Sequence, residues 1–63
     1  MTLKLEYDPK ADAAYIRFSS EAIQESEEVS AGIVLEYDAE GHIVGTEVLD
    51  AREHLPAAML RAA

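Results

Sequence analysis

The stretch IVLEYDAEGHIVGTEVL, residues 33–49, contains two apolar segments separated by a polar turn. In Ile33–Tyr37 every second residue points to one face, with Ile33, Leu35 and Tyr37 on it and Val34 and Glu36 on the other. This is the period of a half-buried strand. Asp38 and Gly41 stand three residues apart, a spacing that favours a type I turn closed by a left-handed glycine. The stretch therefore predicts a β-hairpin whose second strand is Ile43–Leu49.

The tetrapeptide LEYD of this hairpin also occurs earlier, at residues 5–8. There it precedes Pro9, which sets φ for the first central position of a turn. Asp8 can accept hydrogen bonds from the backbone amides that follow it. Residues 14–18 then alternate again, with Ala, Ile and Phe on one face. A second hairpin is therefore predicted near the N-terminus.

The segment IQESEEV at residues 23–29 has no apolar residues at helical spacing. It could form a strand or a solvated acidic loop. We favour a strand that runs through a bulge at residues 30–32 into the strand that begins at Ile33.

The C-terminal segment changes period. Asp50 and Glu53 match a capping box, with Asp in place of Ser or Thr, and a turn is expected at Ala51–His54. Pro56 is suited to a first helical position. An apolar stripe at helical spacing follows it: Leu55, Ala58, Met59 and Ala62. One short helix is predicted at about residues 56–62.

These elements predict a single α+β domain over residues 1–63. It consists of an antiparallel β-meander of about four strands over residues 2–50, built from two β-hairpins, and one short C-terminal helix. The helix stripe can cover one sheet face.

The opposite face would carry Tyr15, Val34 and Ile43 among charged residues, too apolar for a plain surface. A chain of 63 residues without cysteine has a marginal core and no disulfides to support it. We therefore expect a homodimer through this face.

Thirteen acidic residues against five basic ones give a net charge of −8. This charge argues against binding to nucleic acid or to anionic membranes, and it favours a basic protein partner. No apolar run is long enough for a membrane-spanning helix or a signal peptide, so we expect a cytoplasmic protein.

The segments YDPKADAAYIRF, ESEEV and GIVLEYDAEGHIVGTEVLDA together resemble a small bacterial family, domain of unknown function 2283. The resemblance extends over most of the chain, to about Ala51. It implies no activity, substrate or catalytic residue.

Four aspartates follow or precede predicted strands, and their carboxylates are ligands that Ca²⁺ or Mg²⁺ prefers. Turn and cap roles explain most of them, so Asp8, Asp12 and Asp50 are weak metal candidates, and Asp12 is the hardest to explain by a turn alone. His42 and His54 are expected to be exposed. No catalytic residue and no cofactor is predicted.

Glu25, Glu27 and Glu28 concentrate charge on one short segment. The sequence favours a non-enzymatic protein-interaction module that acts as a homodimer, one version being an antitoxin-like partner of a basic protein. Two other hypotheses stay open. One is a small metal-binding protein or hydrolase with carboxylates at a dimer seam, and the other is a structural domain appended to larger proteins.

Overall fold

Five strands form one antiparallel sheet, and two short helices follow it. The computed structural model describes residues 3–62. The elements are β1 (Lys4–Asp8), β2 (Ala13–Arg17), β3 (Glu25–Ser30), β4 (Ile33–Tyr37), β5 (Ile43–Leu49), α1 (Ala51–His54) and α2 (Ala57–Arg61). The predicted α+β class and the antiparallel sheet are confirmed. The strand count was too low because β3 is a separate strand.

The strand order is β1-β2-β5-β4-β3, so the sheet is not a simple meander. After β2 the chain crosses to the far edge, and it returns through β4 to place β5 beside β2. The alternation of apolar residues predicts which side chains share a face, but it does not specify which strands are neighbours. That choice is made by long-range pairing, in which Ala14 lies opposite Val48.

The predicted bulge at residues 30–32 is wrong. Ser30 pairs with Ile33 across a tight turn, and Gly32 within that turn has φ of +81°. The register shift lies earlier, between Glu28 and Ser30. The glycine permits the chain to reverse, and β3 and β4 therefore form a hairpin.

The hairpin between β4 and β5 has the predicted turn. Gly41 has φ of +84°, its N–H donates to the Asp38 carbonyl at 3.1 Å, and the Asp38 N–H donates to the His42 carbonyl at 2.9 Å. The hairpin between β1 and β2 uses a shorter loop, in which Asp12 takes the left-handed conformation with φ of +53°. The two LEYD copies thus enter different turns.

The predicted capping box at Asp50 is also wrong. Asp50 precedes α1 with a left-handed φ of +53°, and its side chain makes no capping hydrogen bond. The expected turn after it is the one-turn helix α1, so residues 3–62 contain two helices instead of one. Pro56 precedes α2 as expected. Neither helix is long and apolar enough to cross a lipid bilayer.

The core lies between the helices and one face of the sheet. Ala14, Val48, Ala51 and Leu60 are buried there, and their small average size lets the helices approach closely. The chain exposes 4418 Å², compared with roughly 4,000 Å² for a compact monomer of this mass. The excess surface follows from a thin sheet that is covered on one side.

We expect Gly41→Ala to destabilise the protein by about 1 kcal/mol, because alanine is strained at positive φ. A Cβ at this position would meet no other atom within 4 Å, so the loss reports backbone strain alone. Urea unfolding measures it. Gly41→Asn is the matched control and should lose less, since asparagine tolerates the left-handed region. Equal midpoints for wild type and Gly41→Ala would contradict this account of the turn.

Candidate functional site

The three aspartates considered as metal ligands have separate local positions. Asp8 accepts the Lys10 N–H at 3.0 Å and stabilises the first turn. Asp12 lies at the end of that turn, and Asp50 lies between β5 and α1. Within residues 3–62 these three do not form a group of converging ligand atoms.

Asp12 acts as the cap that Asp50 does not supply. Its carbonyl accepts the Ala51 N–H at 2.9 Å, and its Oδ1 accepts the Arg52 N–H at 3.2 Å. The first amides of α1 are therefore satisfied by a residue about forty positions earlier in the chain. The Tyr7 hydroxyl also donates to Asp12 Oδ1, at 2.8 Å, and the Arg52 guanidinium lies 3.6 Å from that oxygen.

One group of potential metal ligands does converge in the described part of the chain, in the turn between β4 and β5. It consists of Asp38, Glu40 and His42. His42 Nδ1 lies 3.6 Å from Asp38 Oδ2 and 3.7 Å from Glu40 Oε1. From the sequence His42 was expected only to be exposed, and the alternation of acidic residues with histidine in a tight turn was the missed signal.

Turn geometry accounts for much of this arrangement. Asp38 Oδ1 accepts the backbone N–H groups of both His42 and Glu40, each at 2.9 Å. The bond from His42 is the main cause that holds the pKa of Asp38 below its usual value of 3.8. The other two side chains are largely exposed, so any metal there would be bound weakly at the surface.

The sheet face away from the helices is called the open face. The strand register places one row of side chains across it, in which Tyr15 lies between Glu6 and Glu47, and Val34 lies beyond Glu47. The register adds further residues to the same face: Lys4, Ala13, Arg17, Glu28, Glu36, Gly45 and Leu49. Apolar side chains and charges of both signs thus share this face.

Leu49 is notably accessible on the open face, with 40% of its surface exposed. Of the three residues predicted for a dimer contact, Tyr15 and Val34 lie on this face by strand register. Ile43 is 49% exposed, but the register shift between Glu36 and Tyr37 leaves it opposite Tyr37, a residue of the other face.

Tyr15 crosses the centre of the open face above Gly45. A Cβ on Gly45 would lie 2.7 Å from the Tyr15 hydroxyl, 3.2 Å from Glu36 Oε1 and 3.2 Å from the Ile16 carbonyl. Glycine in this strand therefore makes room for a side-chain cluster, a use that an isolated glycine in a strand often indicates.

The cluster above Gly45 joins three charged or polar side chains. Arg17 Nη1 donates to the Tyr15 hydroxyl at 3.1 Å, and other Arg17 nitrogens donate to the carbonyls of Ser19 and Glu21. Glu36 lies close to Tyr15, yet its buried Oε1 has no well-aligned hydrogen-bond partner among the described residues. Burial, and then the Glu36 carboxylate, raise the pKa of Tyr15 above 10.0.

The β3 edge carries the most concentrated negative charge. Glu25 and Glu27 lie opposite Tyr37 and Leu35, on the sheet face that the helices partly cover. Glu28 lies opposite Val34 and belongs to the open face. Every residue of β3 is exposed. The three glutamates predicted for interaction therefore lie on one accessible strand but not on one face.

Positive charge is absent from this side of the molecule. Between Arg17 and Arg52 the chain contains nine carboxylates and no lysine or arginine. Arg17 is held by Tyr15 and by backbone carbonyls, and the other basic residues belong to β1, its turn and the helices. Seven of these nine carboxylates lie in β3, β4 and the segments that flank them, so negative charge is concentrated on that side.

Such a molecule is a small helix-capped antiparallel sheet with an open face and an acidic edge. The family model described as "Protein of unknown function (DUF2283)" matches residues 4–52, and the chain belongs to this family. The match includes Asp12, Ala51 and Arg52, and it ends before α2. No curated protein and no solved structure matched the chain.

Substituting Asp12 tests its role as a cap. We expect Asp12→Ala to lower the free energy of unfolding by about 2 kcal/mol, because it leaves the Tyr7 hydroxyl and the Arg52 N–H without their acceptor. Asp12→Asn retains an acceptor oxygen and tolerates positive φ, so its loss should be smaller. Chemical denaturation measures both variants. Indistinguishable losses for Ala and Asn would show that the capping oxygen is unimportant.

The Tyr15 hydroxyl should titrate above pH 10.0 in the folded protein, as followed by the ¹³Cζ shift of this residue. Glu36→Gln should lower that pKa, and Arg17→Leu should raise it, because the carboxylate disfavours the phenolate and the guanidinium favours it. A folded-state pKa above the unfolded one contributes stability that is complete below pH 10 and is lost as pH rises through the folded pKa. Shifts of the same sign in both variants would contradict the electrostatic account.

Proposed function

We propose that this protein is a non-enzymatic interaction module that dimerises through its open face and binds a basic protein through its acidic side. The observation that carries the proposal is the segregation of charge, with nine carboxylates and no lysine or arginine between Arg17 and Arg52. A potential of one sign over one side attracts a partner of the opposite sign and accelerates association. An antitoxin-like partner of a small basic protein is one concrete version.

The open face supports the dimer. The longer dimensions of the molecule, 33 and 26 Å, give that face room for the roughly 800 Å² per partner that a standard interface buries. A two-fold axis would place the same patch on both subunits, so the Lys4 and Arg17 charges of one copy can face Glu6 and Glu47 of the other. Val34 and Leu49 supply the apolar part.

A metal-binding role is the second candidate, and the Asp38, Glu40 and His42 group favours it. The hydrolase version with Asp8, Asp12 and Asp50 at a dimer seam receives less support, because Asp8 and Asp12 accept structural hydrogen bonds. Melting curves with and without Mg²⁺, Ca²⁺ or Zn²⁺ discriminate the two functions. A rise in Tm that His42→Ala abolishes would favour metal binding.

Light scattering at micromolar concentration should report a dimer, and Val34→Glu should yield the monomer. Ile23→Glu, which makes the same change at an exposed apolar residue outside the strands, is the matched control and should remain dimeric. Two subunits of like charge repel each other, so added salt should strengthen the dimer. A monomer mass for the wild type at all concentrations would contradict the proposal.

The partner can be identified by affinity capture from the host, and its purified form then provides the decisive measurement. Glu25→Gln with Glu27→Gln and Glu28→Gln should slow association at low salt, and the difference from wild type should shrink at high salt. A control removes two charges outside β3 and outside the open face, with Asp50→Asn and Glu53→Gln, and should slow association less than Glu25→Gln with Glu27→Gln does.

An unchanged association rate for the β3 variant, together with earlier precipitation, would mean that these glutamates only protect a sheet edge from aggregation. The opposite salt dependences of the two contacts provide an internal check. Salt should weaken binding of the basic partner while it strengthens the homodimer.

A further inference from the structure

The β3 strand ends the sheet on its outer side. It pairs with β4 from Glu25 opposite Tyr37 to Ser30 opposite Ile33, and the strand order places no described strand beyond it. Half of its backbone N–H and C=O groups therefore face outward without a strand partner in residues 3–62. An edge of this kind is a template for one more strand.

The side chains of β3 determine which charges the additional strand can carry. A second copy of β3 would bring glutamates opposite glutamates, and like charges directly opposite each other are destabilising. An extended segment rich in lysine or arginine would form opposite-charge pairs in the same positions. The edge therefore discourages self-addition while it favours a basic strand.

Two glutamates define the spacing that such a segment needs. Glu25 and Glu27 share one face with Tyr37, and the Tyr37 hydroxyl donates to Glu27 Oε1 at 3.2 Å. They border a shallow depression that Ser26 and Gly41 also line. Basic residues at alternate positions of an added strand would both lie on this face, because successive side chains of a strand point to opposite sides.

The register shift between Glu28 and Ser30 limits the length of the contact. Beyond it the backbone no longer presents a regular ladder, so the usable edge extends over residues 25–28. We infer that the basic partner adds an extended segment to this edge as a sixth strand, with lysine or arginine at alternate positions beside Glu25 and Glu27. This inference rests on the proposed function and specifies how its acidic side would bind.

A synthetic peptide that alternates lysine with valine tests the inference on the full chain by NMR titration. Two further peptides carry backbone N-methyl groups on alternate residues, one in each phase. N-methyl groups on the peptide amides that face β3 remove their hydrogen bonds to β3 and should weaken binding about tenfold. N-methyl groups on the amides that face away from β3 should have little effect. The amides of residues 25–28 that face outward should gain protection from hydrogen exchange.

Variants of the protein supply the side-chain test. Glu25→Gln with Glu27→Gln should weaken peptide binding more than the control pair Asp50→Asn with Glu53→Gln, which removes the same charge outside β3 and the open face. A peptide of the same composition with its lysines in one block should bind more weakly than the alternating peptide.

Three outcomes would overturn strand addition. Equal binding of both methylated peptides would mean that the acidic side recognises charge without backbone pairing, and the proposed function would stand. Failure of the alternating peptide to bind at millimolar concentration, while the purified basic partner binds, would also leave only the proposed function. If neither binds, both conclusions are wrong.

Discussion

The contact between Asp12 and the first amides of α1 holds the helical layer on the sheet. It exists because β2 pairs with β5, which brings the end of the first turn beside the start of the helix. Asp12 and Asp50 both have left-handed backbone conformations. Asp12 ends the first turn, and Asp50 directs the chain from β5 into α1. Burial of Leu60 against Ala14 and Val48 depends on the resulting helix position.

A core this small leaves one side of the sheet uncovered. The helices contact only one face, so apolar side chains on the other remain accessible, and the surface exceeds that of a compact monomer. Within that face the Tyr15 cluster above Gly45 is organised by hydrogen bonds and close packing. An ordered, partly apolar face on a marginally stable chain is suited to a subunit interface.

The β3 edge combines protection with selectivity. Its glutamates and its bulge are devices that prevent sheets from joining edge to edge. The same charges distinguish a basic strand from a copy of the chain, because repulsion excludes one and attraction favours the other. Protection and recognition therefore need not be separate explanations for the same three residues.

The sequence by itself determined the local elements. Alternation identified β1, β2 and β4 with their faces, Asp38 and Gly41 predicted their turn, and Pro56 marked the start of α2, because each signal acts over a few residues. The position of β5, the role of Asp12 and the cluster above Gly45 were decided only by the tertiary structure. They join residues about thirty or more positions apart, and no local period specifies which distant segments meet. Capping by Asp12 shows the reason clearly: the amides of α1 required an acceptor, and strand pairing, not proximity in sequence, supplied it.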